Sequence, residues 1–291
     1  MTHWMIEHVG PAPRIAVEHT GSGELIVLMH GIGGNRRNWR DSMDPLGAHF
    51  HVAAWDARGY GDSDDYEGPL QFSDYAHDLA RVLDHFGTAK AHVLGLSMGG
   101  RIAMDFAEEY PERLLTLTLC DTHRGMSHFS DEKKREFIRL RKEPLINGGE
   151  PRDIARPVAD TLIGPRATAE QYEALVDSIS RLHKESYIKS IEASVTAGSH
   201  GNLREIRAPT HVIVGGADRL TTPQMAMELA DLILDSRLTI IPHAGHLINI
   251  ERPRDFNEAV IGFILGVRSR RTETTRPTAG GSLPEGPYGL P

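Results

Sequence analysis

The segment His92-Val93-Leu94-Gly95-Leu96-Ser97-Met98-Gly99-Gly100 sets a serine between glycines two places away on either side. A serine hydroxyl is a poor nucleophile near neutral pH, so the pattern acquires chemical meaning only with a base and a carboxylate to orient that base. Both follow later in the chain. His246, at the end of Ile240-Ile241-Pro242-His243-Ala244-Gly245-His246, is the expected base. Asp218, at the end of Val212-Ile213-Val214-Gly215-Gly216-Ala217-Asp218, is the expected acceptor of its imidazole N–H. Such a trio performs acyl transfer: the serine attacks a carbonyl, the histidine takes its proton, and the aspartate fixes the tautomer and stabilises the imidazolium. Asp121, which closes another apolar run, is the alternative carboxylate and ranks second. His243 competes with His246, but His-x-x-His without a third ligand at a suitable spacing does not make a zinc site, and no metal is expected. The glycines of His30-Gly31-Ile32-Gly33-Gly34 allow amide donors to be aimed at a developing oxyanion, and the N–H groups of Ile32 and Met98 are the expected pair. The same segment does not complete G-x-G-x-x-G, which excludes a dinucleotide site.

Groups so far apart in sequence need a rigid frame. Runs Leu25 to Met29, Val52 to Trp55, His92 to Leu96, Leu114 to Cys120, His211 to Val214 and Leu238 to Ile241 are apolar on both faces, as strands of a covered parallel sheet are. Between them Tyr75, Leu79, Val82, Leu83 and Phe86, and again Ile102, Ala103, Phe106, Ala107 and Tyr110, recur at helical spacing. The fold class is α/β, with a mostly parallel, doubly wound sheet. G-x-S-x-G then stands directly between a strand and a helix, the setting of a nucleophile elbow.

The alternation breaks between residues 122 and 203, where charged helix-favouring segments are punctuated by Pro144, Gly148-Gly149, Pro151, Pro157, Gly164 and Pro165. A helical cap of residues 122–203 is expected, inserted into a core of residues 1–121 and 204–267. Phe129, Phe137, Leu140, Leu162, Ile163, Tyr187 and Ile188 are candidates to line an apolar pocket beneath it. His123, Arg124 and His128 could meet a substrate carboxylate there. From Arg268 onward the chain is rich in Arg, Thr, Pro and Gly, too poor in large apolar residues to offset its ordering entropy, so residues 268–291 are expected to form a disordered tail.

A net charge of −8 argues against nucleic acid or an anionic membrane as partner, and a small molecule is expected instead. A hydrophobic fraction of 40% and a charged fraction of 25% fit an ordinary folded protein, and no apolar run is long enough to span a bilayer. The start Met1-Thr2-His3-Trp4 does not read as a secretory signal, and the single Cys120 excludes an intramolecular disulfide, so cytoplasmic residence is the expectation. Oligomeric state is not legible, and a homodimer is left open.

Four ordered blocks together resemble the α/β-hydrolase superfamily over Leu25 to Val267. They are His30 to Gly34, Asp56-Ala57-Arg58-Gly59-Tyr60-Gly61-Asp62-Ser63, Gly95 to Gly100, and Pro242 to His246 with Glu251-Arg252-Pro253 after it. The resemblance implies the α/β-hydrolase fold, gives Asp56 to Ser63 a scaffolding role, and requires no cofactor. Gly-Leu-Ser-Met-Gly-Gly and His-Leu-Ile-Asn-Ile-Glu-Arg-Pro are most similar to 3-oxoadipate enol-lactonases and related small carboxylesterases, which implies hydrolysis of a small ester or lactone. Haloalkane dehalogenases and epoxide hydrolases resemble the fold but use aspartate at the elbow, where this chain has Ser97. Carbon–carbon hydrolases of meta-cleavage pathways share Ser-Met-Gly-Gly but commonly carry asparagine before the serine and tryptophan soon after the histidine, where Leu96 and Leu247-Ile248-Asn249 stand here. Perhydrolases use the same trio, and a ligand receptor with slow hydrolysis is the alternative of another class.

Overall fold

The computed structural model describes residues 4–200 and 202–274, apart from the side chains of His128 and residues 272–274. Eight strands form one sheet in the order β1-β2-β4-β3-β5-β6-β7-β8. They are β1 (Met5–Val9), β2 (Ile15–Gly21), β3 (Leu25–Met29), β4 (His51–Trp55), β5 (Ala91–Leu96), β6 (Leu114–Cys120), β7 (Thr210–Gly215) and β8 (Ser236–Ile241). From β4 to β8 across the sheet every pairing is parallel; β2 runs antiparallel to both β1 and β4. The central strands β3 and β5 are buried along their whole length, which is why their sequences are apolar without alternation.

Between and after the strands lie α1 (Arg40–Gly47), α2 (Asp74–His85), α3 (Met98–Glu109), α4 (Asp131–Arg141), α5 (Glu143–Ile146), α6 (Pro151–Leu162), α7 (Ala169–Ser180), α8 (Lys184–Thr196), α9 (Pro223–Leu232), α10 (Ile248–Glu251) and α11 (Pro253–Thr274). The stripe Tyr75, Leu79, Val82 and Leu83 on α2 and the stripe Ile102, Ala103, Phe106 and Ala107 on α3 are buried, as helical spacing requires. Helices α4 to α8 fall between β6 and β7, so the sheet is interrupted where its alternation fails in the sequence. Local chemistry starts two of them. Ser130 accepts the Lys133 N–H ahead of α4, and Thr168 with Gln171 forms a reciprocal capping box ahead of α7.

Two features differ from expectation. The pair β1–β2 carries only the short apolar run Ile15-Ala16-Val17, because β2 goes on to bury Glu18, His19 and Thr20. His19 is satisfied there by Glu7 of β1 at 3.2 Å and by His51 of β4 at 3.0 Å, so mutual bonding replaces the apolar pattern that marks a buried strand. The second is the boundary at Val267, beyond which a disordered tail was expected: α11 continues to Thr274. Its last turns are held by polar contacts instead of apolar burial, Arg268 to Glu24 at 3.1 Å and Arg271 to the Leu115 carbonyl at 2.5 Å. The rest of the expected tail, residues 275–291, lies outside the described residues. No helix among the described residues is long and apolar enough to cross a membrane.

α3 also carries Asp105, whose carboxyl is pushed up to about 6 by burial against only partial compensation from His200 and Arg101. A folded pKa above the unfolded value of 3.8 means that its contribution to stability is full below that value and is lost as pH rises through about 6. Asp105→Asn is therefore expected to flatten the fall in stability between pH 5 and pH 7.5. Urea midpoints of both proteins at the two pH values check this; parallel falls would contradict it.

Candidate active site

Ser97 sits in the turn between β5 and α3 with φ 55 and ψ −112, a conformation that a non-glycine residue rarely adopts and that surrounding structure must impose. The glycines around it leave room for that turn. A Cβ on Gly95 would lie 2.0 Å from the Gly99 carbonyl oxygen, and one on Gly99 would lie 2.3 Å from that of Met29. A Cβ on Gly100 would meet Thr122 at 2.6 Å. The Ser97 N–H donates to the Cys120 carbonyl at 2.9 Å, and the Thr122 hydroxyl donates to the Ser97 carbonyl at 2.7 Å, so the end of β6 pins the turn on both sides.

The His30 to Gly34 loop lies beside this turn: a Cβ on Gly31 would stand 3.1 Å from that of Ser97. His30 orders the loop. Its Nδ1–H donates to the Gly31 carbonyl at 2.8 Å, and its Nε2 accepts the Ala57 N–H at 3.0 Å. Burial holds its pKa below the usual histidine value, which suits this neutral tautomer. Ile32 and Met98 line the same cavity as Ser97. Their backbone N–H groups have no hydrogen-bond partner among the described residues, as donors reserved for a ligand oxygen would not.

His246 and Asp218 meet across the ends of β8 and β7. Nδ1 of His246 lies 2.8 Å from Oδ2 of Asp218, and both side chains are almost wholly buried. Thr221 completes the contact, donating its hydroxyl to Asp218 Oδ2 at 2.6 Å and lying 3.2 Å from His246 Nδ1. Asp218 Oδ1 accepts the N–H groups of Leu220 and Thr221 at 2.8 and 3.0 Å. Burial pulls the Asp218 carboxyl upward, but His246 and Thr221 outweigh it and hold the group below the usual carboxylate range. Asp121 is placed otherwise: it accepts the Gly215 N–H at 2.8 Å and that of Ile248, and burial together with the Asp218 charge pushes its pKa well up. His243 is exposed, in a turn with φ 64.

Glu251 holds the His246 loop. Its carboxylate accepts the N–H groups on either side of the histidine, from Gly245 at 2.9 Å and from Leu247 at 3.3 Å, and also the N–H of Gly164 just beyond α6. The His246 N–H itself donates to the carbonyl of Leu162, the last residue of α6, at 3.1 Å. An amide at position 251 would present a donor where the loop needs an acceptor. Glu251→Gln is expected to lower kcat about tenfold with a smaller change in KM, and to cost about 1–3 kcal/mol of stability. Steady-state kinetics alongside urea denaturation would show it; unchanged kcat would remove the loop-holding role.

A cavity of about 270 Å³ opens over Ser97, Ile32, Met98 and His246. Phe129, Phe137, Leu140, Leu162 and His123 line it, whereas Ile163 and Ile188 do not. Two of the residues expected to contact a substrate are not on the cavity wall. Arg124 is not on the cavity: the chain turns at Gly125, which packs on Ser199, and the Arg124 carbonyl takes the His200 N–H, keeping this residue at the join of sheet and helices. Tyr187 is likewise not on the cavity wall; it is fully buried, and its hydroxyl would lie 4.0 Å from a Cβ on Gly33 of the core loop. Asp56 and Arg58 are structural. Asp56 accepts from Arg36 and from the Asp62 N–H at 2.8 Å, and Arg58 pairs with Asp78 at 2.6 Å. Sequence reasoning missed Thr221, although an acid followed three places later by threonine is the signature of a side chain bonding its own turn.

The sequence profile described as the alpha/beta hydrolase fold matches residues 24–253. RutD of Azorhizobium caulinodans, which carries the name of a carbamate hydrolase, is 31% identical over 84% of this chain and 92% of its own. The 2-hydroxy-6-oxononadienedioate/2-hydroxy-6-oxononatrienedioate hydrolase of Escherichia coli is 30% identical over 89% of this chain and 93% of its own. Among solved structures, a thermophilic esterase from Thermogutta terrifontis with malate bound superposes with a TM-score of 0.82 at 29% identity, covering 91% of this chain and 99% of its own.

Proposed function

Since the chain belongs to the alpha/beta hydrolase fold family and is an enzyme of that family, we propose that it is a serine hydrolase that cleaves a small carboxylic ester or lactone through an acyl-enzyme on Ser97. The observation that carries this reading is the buried His246–Asp218 contact at 2.8 Å in the wall of the cavity that holds Ser97. In the proposed reaction the Ser97 oxygen attacks the carbonyl carbon as His246 takes its proton, and the oxyanion accepts from the Ile32 and Met98 N–H groups. Collapse breaks the bond to the leaving oxygen, which receives the proton from His246. Water then attacks the acyl carbon, giving its proton to His246, and the acid is released as Ser97 is reprotonated. Ester cleavage is favoured over carbon–carbon cleavage by Leu96 and by Leu247-Ile248-Asn249, which stand where the meta-cleavage pattern has asparagine and tryptophan.

The test is turnover of a panel of short p-nitrophenyl esters and lactones by the wild type and Ser97→Ala, with fluorophosphonate labelling of both. The expected result is labelling of the wild type alone and a loss in Ser97→Ala of at least about ten-thousandfold. Turnover that survives the substitution would overturn the acyl-enzyme. Labelling without ester or lactone turnover would instead favour carbon–carbon cleavage.

A further inference from the structure

Three arginines are buried among the described residues: Arg36, Arg101 and Arg141. Arg36, in the scaffold, is fully compensated by Asp56 and Asp62. The other two line the cavity over Ser97, each 3% exposed, and neither forms a direct ion pair among the described residues; Asp105 of α3 and Glu136 of α4 act on Arg101 and Arg141 only at longer range.

Arg101 of α3 gives one N–H to the Ser194 carbonyl at 2.8 Å and lies over the Phe72 ring; its Nε and second terminal nitrogen have no partner. Arg141, at the end of α4, donates to the Thr161 hydroxyl at 3.1 Å and lies over the Phe137 ring; its Nε has no partner. The one acid on the cavity wall, Glu136, is engaged by Arg139 through two bonds of 2.6 and 2.7 Å. Lys133 and Arg219 line the exposed rim and add the same sign.

A guanidinium taken out of water without a counter-charge is costly, and buried charges are ordinarily paired. Arg36 follows that rule, and the two arginines of the cavity wall depart from it. The Arg101 charge is felt nearby: burial and Arg101 together push His123, also on the wall, down to about 3. A carboxylate entering the cavity would supply the missing acceptor, and its two oxygens match the planar fork of a guanidinium.

We infer that the substrate is itself an anion, a short ester or lactone that also bears a carboxylate, with that carboxylate bound by Arg101 and Arg141. This rests on the hydrolase reading above for the bond that is cleaved, and on the arginines alone for the charge.

The two are separable by measuring binding without turnover. Calorimetry on the full-length Ser97→Ala protein would compare glutarate with glutaramide, its neutral counterpart of equal length. Glutarate is expected to bind at least tenfold more tightly. That advantage should shrink at least tenfold in Arg141→Gln and in Arg101→Gln, and be partly kept in Arg101→Lys, with melting temperatures checked to show that each variant folds. Equal affinity for the two compounds, or an advantage untouched by both glutamine variants, would overturn the inference. Hydrolysis of neutral esters by the wild type without preferential glutarate binding leaves the hydrolase reading standing and sinks the anionic substrate. Preferential glutarate binding without ester turnover does the reverse.

Discussion

Asp218→Asn is expected to lower kcat about ten-thousandfold, whereas Asp121→Asn should stay within about tenfold of the wild type. Both carboxyls are buried at the ends of neighbouring strands, and their surroundings set them to different tasks. Asp218 is kept ionised by His246 and Thr221, so an amide in its place would offer an N–H to the imidazole and favour the wrong tautomer. Asp121, pushed up by burial and by its neighbour's charge, accepts backbone N–H groups, which an asparagine oxygen can also do. Kinetics of the two variants on the best ester substrate of the panel decide the matter. A larger loss in Asp121→Asn would transfer the proposed role to that residue.

The second large effect is on folding. Gly95→Ala or Gly99→Ala would bring a Cβ to 2.0 or 2.3 Å of a backbone carbonyl oxygen that is itself fixed in α3 or in β3. Neither contact ends on a flexible side chain, so strand and helix must part, at an expected cost of about 3 kcal/mol or more. Gly262 is the control, since it lies within α11 and a Cβ there meets nothing within 4 Å. Gly262→Ala should leave stability unchanged or raise it by about 0.5–1 kcal/mol. Urea midpoints of the variants test both statements, and wild-type stability in Gly95→Ala would refute the close approach of β5 and α3.

What could be read in advance follows the physics of each part. The strands β3 to β7 announce themselves because both of their faces are covered, the edge strand β8 through its apolar residues although it is only partly buried, and the nucleophile turn because its geometry restricts which residues can stand near Ser97. β1 and β2 are faint, since the short run Ile15-Ala16-Val17 gives way to polar residues, among which Glu7, His19 and His51 satisfy one another across the sheet. At the site, His246 and Asp218 were legible because they end strands. Thr221 and Glu251 act through backbone N–H groups and short bonds that the sequence marks only faintly, and Glu251 stood in a recognised block without a task. Arg101 and Arg141 were invisible for a different reason. An arginine on a helix usually faces water, and only packing shows that these two have been deprived both of solvent and of a directly bonded carboxylate.

The link between the His246 loop and the segment after α6 bears on how this enzyme can change. Leu162 takes the His246 N–H, and Gly164 reaches Glu251, which steadies the loop from both sides. The insertion is therefore no independent lid that could swing away or be exchanged without consequence. A swap of its helices to suit a new substrate would also retune the proposed base, so that selectivity and turnover are inherited together. Altered specificity should come more readily from Lys133 and Phe137 of α4, which face the cavity without bonding the His246 loop, than from Arg141, whose bond to Thr161 joins α4 to the tethered end of α6.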